Sequence, residues 1–254
     1  MSGEGGRLVL VVSARADLAR IRRFLRTAGA VRRELLAVYV EDRALLAVAG
    51  LPFVRLVGPF GRVEPLTPEQ VRRTLRLHAL RVEEEIRRVA DGNGLLWRFV
   101  AVSEEVEVGV APQDVLALTP EDAALVLEAL GPEVLTRDGP LVLLTGEGGR
   151  LVLATAGDGR AVEVAQRLAA ALHVPLVVLA VGDAAFEVRA RLGGDVAIVP
   201  ISDASALKDR LAALIQRGTS CVVADPALAP AAVEAAGKGP GPARAEPSPE
   251  PEDR

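Results

Sequence analysis

Aromatic residues make up only 3% of this 254-residue chain, with a single Trp and a single Tyr. A core has to be built from Leu, Val and Ala instead. That suits parallel sheets covered by helices and leaves no series of stacking platforms for single-stranded nucleic acid. Cys221 is the one cysteine, which excludes an internal disulfide and a cysteine metal cage. Two histidines, His78 and His173, leave little from which to build a zinc site. Lysine is almost missing: of 30 basic residues only Lys208 and Lys238 are lysines, which we read as coding bias rather than a functional signal. No run approaches the roughly 20 apolar residues that a membrane span needs. The first residues, MSGEGGR, lack the apolar stretch of a secretion signal. The expectation is a cytoplasmic protein with no membrane partner. The net charge of −4 weighs against generic nucleic-acid binding.

What is present is a regular alternation. RLVLVVS (7–13) is a continuous β-branched run of the kind buried on both faces of a sheet, and ADLARIRRFLRTAG (16–29) follows with Leu18, Ile21, Phe24, Leu25 and Ala28 on one helical stripe. ELLAVYV (34–40) predicts a second strand. In LTPEQV, Thr67, Pro68 and Gln70 form a helix start, and Val71, Leu75, His78, Val82, Ile86 and Val89 mark one face of a long helix that DGNG (91–94) stops. Strands follow at 95–102, 114–118 and 140–146, with a short helix, LVLEAL, before the last of them.

The pattern then restarts. RLVLATAG (150–157) echoes RLVLVVSA, after the Gly-rich hinge GEGGR (146–150). Helices are predicted at 161–172, 184–192 and 203–217, and strands at 174–181, 195–200 and 220–226. The fold class read from this is α/β, two tandem doubly wound parallel-sheet lobes with the second shorter and without a fifth strand. The expected limits are 7–146 and 150–228, with disorder at 1–6 and in the Pro- and charge-rich tail 238–254.

The stretch from ELLAVYV through VEDRALLAVAGLPFVRLV, the long amphipathic helix and LLWRFVAV resembles a divergent branch of the universal stress protein family, and the tandem arrangement resembles its two-domain members. The resemblance implies a five-stranded parallel sheet of the adenine-nucleotide α-hydrolase type, often dimeric, and in many members an ATP site. That site uses an acid at the end of the first strand and a Gly-x-x-Gly, then Gly-Ser or Gly-Thr, after the fourth. Here Ser13 stands where the acid belongs, and LALTPEDAALVLEALGPEV offers one glycine and two acids, Glu121 and Asp122, at a helix start. Acids there repel phosphate. In the second half Thr155 and Ala156 end the first strand, and ADPALAPAAVEAAGKG has no glycine pair in register.

The expectation is therefore no cofactor, no catalysis and no metal, in a regulatory or scaffold protein that acts through a protein partner or self-association. The alternative is a nucleotide-binding stress protein, with ATP or AMP held by Ser13, Gly157, Asp158 and Gly159 in a rebuilt loop, GDGR (157–160). An enzyme of the same fold group ranks last, since no nucleophile–base constellation stands out. Glu41 and Asp42 read as the polar end of the second strand rather than a functional pair. The run 44–53 is read as too irregular for a strand and too rich in Gly and Pro for a helix; it is the candidate contact segment, with Leu46, Leu51 and Phe53. Arg15, Arg20, Arg22, Arg23, Arg26, Arg32 and Arg33 read as a solvated basic face partly paired with Glu83, Glu84 and Glu85. Trp97 is expected to pack beneath the long helix, and Cys221 to be an inert buried thiol.

Overall fold

The computed structural model describes residues 6–32, 34–57, 59–102, 109–131, 134–135, 139–193 and 196–237. Nine strands form one sheet: β1 (Leu8–Ser13), β2 (Glu34–Val40), β5 (Leu96–Val102), β6 (Val115–Leu118), β7 (Leu141–Leu144), β8 (Leu151–Thr155), β9 (Leu176–Val181), β10 (Ala197–Ile201) and β11 (Cys221–Ala224). Their order is β10-β9-β8-β11-β7-β6-β1-β2-β5. Every neighbouring pair is parallel except β7 and β11, which run antiparallel. The first half supplies β5-β2-β1-β6-β7 and the second β10-β9-β8-β11. β7 closes the first set and also takes the place beside β11 where a fifth strand of the second set would lie.

Successive strand residues point to opposite faces, so Leu8, Leu10 and Val12 join one core cluster while Val9 and Val11 join the other. Both faces are covered, which is why the strands read as unbroken apolar runs. On one face lie α1 (Leu18–Val31), α3 (Pro68–Gly92), α5 (Gly159–Leu172) and α6 (Ala184–Leu192). On the other lie α4 (Ala123–Leu130), α7 (Ala204–Gln216) and α8 (Ala229–Gly237). The starts follow local chemistry. Asp17 accepts from the amides of Ala19 and Arg20 to begin α1, and Thr67 and Gln70 close a capping box ahead of α3. Trp97 packs against the α3 side of the core and donates its indole N–H to Asp91 at 2.8 Å.

Three sequence expectations need correcting. The run after β2 does contain a helix, α2 (Arg43–Ala49), started by Asp42, whose Oδ1 accepts from the Leu45 amide at 3.2 Å. A two-stranded antiparallel hairpin follows, β3 (Arg55–Val57) with β4 (Val63–Pro65). The second half runs past 228 into α8, whose buried Ala231, Ala232, Ala235 and Ala236 lie in the core cluster that α7 shares. Gly6, expected to be disordered, is buried, with the place of a side chain taken by the Gln113 carbonyl at 1.9 Å. The disorder expected for 1–5 and for the tail 238–254 falls outside the described residues.

The hinge at 146–150 carries the chain from β7 to β8 across the entry to β11. A Cβ on Gly148 would stand 2.0 Å from the Gly218 carbonyl carbon. The glycine is required because two backbones touch there.

Candidate functional site

In each half the strand order reverses once, between β1 and β6 and between β8 and β11. In open α/β sheets the crevice beyond the strand ends at such a point is where ligands sit. Because β7 is parallel to β6 and antiparallel to β11, the two crevices open at opposite edges of the sheet.

The first crevice holds a buried hydroxyl–carboxylate cluster. β1 ends in Ser13, whose hydroxyl donates a short hydrogen bond to Asp122 Oδ1 and accepts from the Arg15 amide at 3.0 Å. Thr119, just past β6, donates to Asp122 Oδ2 at 2.8 Å. Asp122 is 0% exposed. Burial raises its pKa above the usual aspartate range, and the bonds from Ser13 and Thr119 offset that only in part. Beside it, Arg15 reaches Asp42 Oδ2 at 2.5 Å. Asp42 is fully buried, so it is a cap and an ion-pair partner rather than a solvated strand end, while Glu41 is half-buried.

The second crevice repeats the arrangement with different residues. Thr155, ending β8, donates to Asp225 Oδ2 at 2.9 Å. The same oxygen accepts from the amides of Ala156 at 2.5 Å and Asp158 at 3.2 Å. The Gly157 amide donates to the Thr155 hydroxyl at 2.9 Å, and the Arg160 amide to Asp158 Oδ1 at 2.9 Å. Asp225 Oδ1 and Asp158 Oδ2 are buried without a hydrogen-bond partner. Burial is the main cause of a raised Asp225 pKa, and Asp158 adds to it.

The candidate residues thus separate. Ser13, Gly157 and Asp158 do line switch-point crevices, and apart from Asp158 Oδ2 the polar groups described above bond within the chain. Gly157 is held at φ 116°, a conformation that needs glycine, and Gly159 lies under the Arg191 guanidinium. In the contact segment, Phe53 is 74% exposed and Leu51 is exposed. Leu46 is half-buried, and the outer face of α2 belongs to Leu45 and Val48 instead. The basic helix is not simply solvated: Arg20 pairs with Glu121, Arg22 with Glu85 and Arg23 with Glu147. His78 is half-buried beside Tyr39, and Cys221 is buried with its thiol pushed up to about 12. Among the described residues no group of three or more His, Cys, Asp or Glu is placed to hold a metal ion, and no helix is long and apolar enough to cross a membrane.

These carboxylates predict opposite pH responses. Asp122 holds its proton more tightly in the folded chain, so the stability tied to that proton is present below the usual aspartate value, about 4, and lost as the pH rises through the folded value. Asp114 is the reverse. Burial raises it, but hydrogen bonds from the Arg7 side chain and from the amides of Ala111 and Arg7 outweigh burial and hold it low. Its contribution is present above the usual range and lost as the pH falls through the folded value. In urea unfolding across a pH series, Asp122→Asn should therefore gain on the wild type as the pH rises above about 4. Asp114→Asn should lose ground as the pH rises over the range below that. Parallel curves for both variants would contradict the assignment.

No protein-family model matches the chain, and no curated protein matches it. Among solved structures it is similar to a universal stress protein from Archaeoglobus fulgidus DSM 4304, at 12% identity, covering 85% of this chain and 95% of that one with a TM-score of 0.43. It is also similar to the cytoplasmic domain of a prokaryotic cation chloride cotransporter, at 10% identity, covering 87% and 96% with a TM-score of 0.45. At these identities and scores the likeness is one of general α/β arrangement alone.

Proposed function

We propose that this chain is a non-enzymatic, universal-stress-like regulatory or scaffold protein that acts through protein contacts in the cytoplasm and has lost the ATP site implied by the resemblance. The observation that carries the reading is the pair of buried carboxylates, Asp122 and Asp225, one at each switch point. The residues there do not fit a phosphate chain. A phosphate at the second crevice would meet like charge, and the amides of Ala156 and Asp158 that could hold it already donate to Asp225. At the first, the hydroxyls of Ser13 and Thr119 point at Asp122 in the same way. Among the described residues no histidine partners either hydroxyl; Ser13 and Thr155 are each held against a buried aspartate instead.

Equilibrium dialysis of the full chain with labelled ATP and AMP, with and without magnesium, tests this. No saturable binding is expected up to about 1 mM nucleotide. Saturation in the micromolar range overturns the reading in favour of a nucleotide-binding stress-response protein. One observation favours that second reading: Gly157 stands just ahead of α5 and Gly159 opens it, with Arg191 against Gly159.

A further inference from the structure

α1 and α3 lie on the same face of the sheet, and a cleft of about 620 Å³ opens between them. Its walls carry three arginines, Arg22 and Arg26 from α1 and Arg88 from α3, against one carboxylate, Glu85. Arg22 and Arg26 stand one turn apart and so share a side of α1. Glu85 is buried; one of its oxygens accepts from Arg22 and the other from Arg88 at 2.8 Å. A buried carboxylate is costly unless paired, so Glu85 holds both guanidiniums in place. Each guanidinium carries five N–H groups, and Glu85 uses only some of them. Glu84 lies 3.8 Å from Arg88 but pairs more closely with Arg87. Arg26 has no ion-pair or hydrogen-bond partner among the described residues. All three arginines are exposed. The Debye length is about 8 Å at physiological salt, so a segment in the cleft meets this positive excess rather than the net charge of −4.

The surroundings select among anions. A guanidinium fork takes a carboxylate or a phosphate. Clustered phosphates are held by backbone amides at a helix start. Here α3 ends instead, with Gly92 and Asn93 in the wall, and the negative pole of its dipole opposes a compact, multiply charged group. Nucleic acid needs a longer basic track with aromatic platforms. Glu83 and Glu84 adjoin Glu85 on α3, and no aromatic residue lines the cleft among the described residues. What fits is a series of single carboxylates, one reaching Arg26 and another the outer N–H groups of Arg22 and Arg88.

We propose that the α1–α3 cleft is a docking site for an acidic segment of a partner protein, one whose glutamates or aspartates are separated by uncharged residues. This deepens the contact-based reading above and rests on it, by giving the partner's chemistry. The probe is a fluorescein-labelled peptide of repeated Glu-Gly-Ser, titrated with the full chain and read by anisotropy. Saturation with a Kd of about 10–100 μM is expected at ~50 mM salt, weakening by about tenfold or more at ~300 mM as screening grows. Arg26→Glu should weaken it by about tenfold or more, with an unchanged melting curve because Arg26 has no partner to lose. Arg210→Glu makes the same change of charge at an exposed residue of α7, on the opposite face, and should leave binding within about twofold of the wild type.

No saturation up to about 1 mM chain overturns the proposal. So does binding that Arg210→Glu weakens as much as Arg26→Glu does, which is attraction without a site. Tripolyphosphate or a dT oligonucleotide that binds more tightly than the peptide, and is lost in Arg26→Glu, makes the cleft a phosphate site and overturns it too. The full-chain variant Glu246→Gln/Glu250→Gln/Glu252→Gln/Asp253→Asn should bind the peptide as the wild type does. A gain of about tenfold in that variant assigns the cleft to the chain's own acidic residues and overturns the partner. A chain that binds neither peptide nor nucleotide defeats the docking site alone; ATP saturation that persists in Arg26→Glu defeats the functional reading alone.

Discussion

Replacing Asp225 with alanine is expected to cost about 3 kcal/mol of folding free energy. One carboxylate oxygen accepts from the Thr155 hydroxyl and from the amides of Ala156 and Asp158, in a crevice where Asp225 is 2% exposed. Truncation leaves three donors together without an acceptor, and a buried orphaned donor costs roughly 1–3 kcal/mol. Asparagine should behave differently. Its carbonyl keeps the acceptor, and its amide can donate toward Asp158 Oδ2, which has no partner. It also removes a charge that burial disfavours. Urea unfolding is expected to place Asp225→Asn within about 1 kcal/mol of the wild type, on either side of it. Equal losses for Ala and Asn would show that charge, not acceptor geometry, holds this loop.

The second large effect belongs to Gly148. An alanine there is expected to lower stability by about 2–3 kcal/mol, because its Cβ would overlap Gly218 backbone that no rotamer change can move. Gly149→Ala, one residue on, meets nothing within 4 Å and should be close to neutral. Thermal melts of the two variants make the comparison with the local sequence almost constant. If Gly148→Ala melts with the wild type, the crossing of 146–150 over the β11 entry is looser than this contact implies.

The strands and long helices were legible because burial on both faces writes itself into short range order: LVLVVS and ELLAVYV need no partner to be recognised. The run after β2 was not. Gly50 and Pro52 hide a seven-residue helix whose one clear signal, a cap at Asp42, also serves as the polar end of β2. In α8 the buried Ala231, Ala232, Ala235 and Ala236 fall in adjacent pairs one turn apart, a stripe of small residues with little apolar contrast to mark it. The cluster at each switch point joins residues far apart in the chain, Ser13 to Asp122 and Thr155 to Asp225, and no local pattern can announce such a bond. The repeat could have done so. Setting the halves against each other aligns Ser13 with Thr155 at the end of the first strand, and it brings Asp122 and Asp225 together just past the fourth.

The antiparallel seam of β7 with β11 also bears on the order in which the protein is made. β7 is complete when little more than half the chain has been synthesised, yet its second neighbour comes only with Cys221–Ala224. Until then Leu141–Leu144 is an open, uncharged strand edge. A ribosome pausing between the halves would lengthen that exposure. Chains truncated after residue 146 should be the ones that aggregate or seek a helper, whereas the finished chain carries its own cover for that edge.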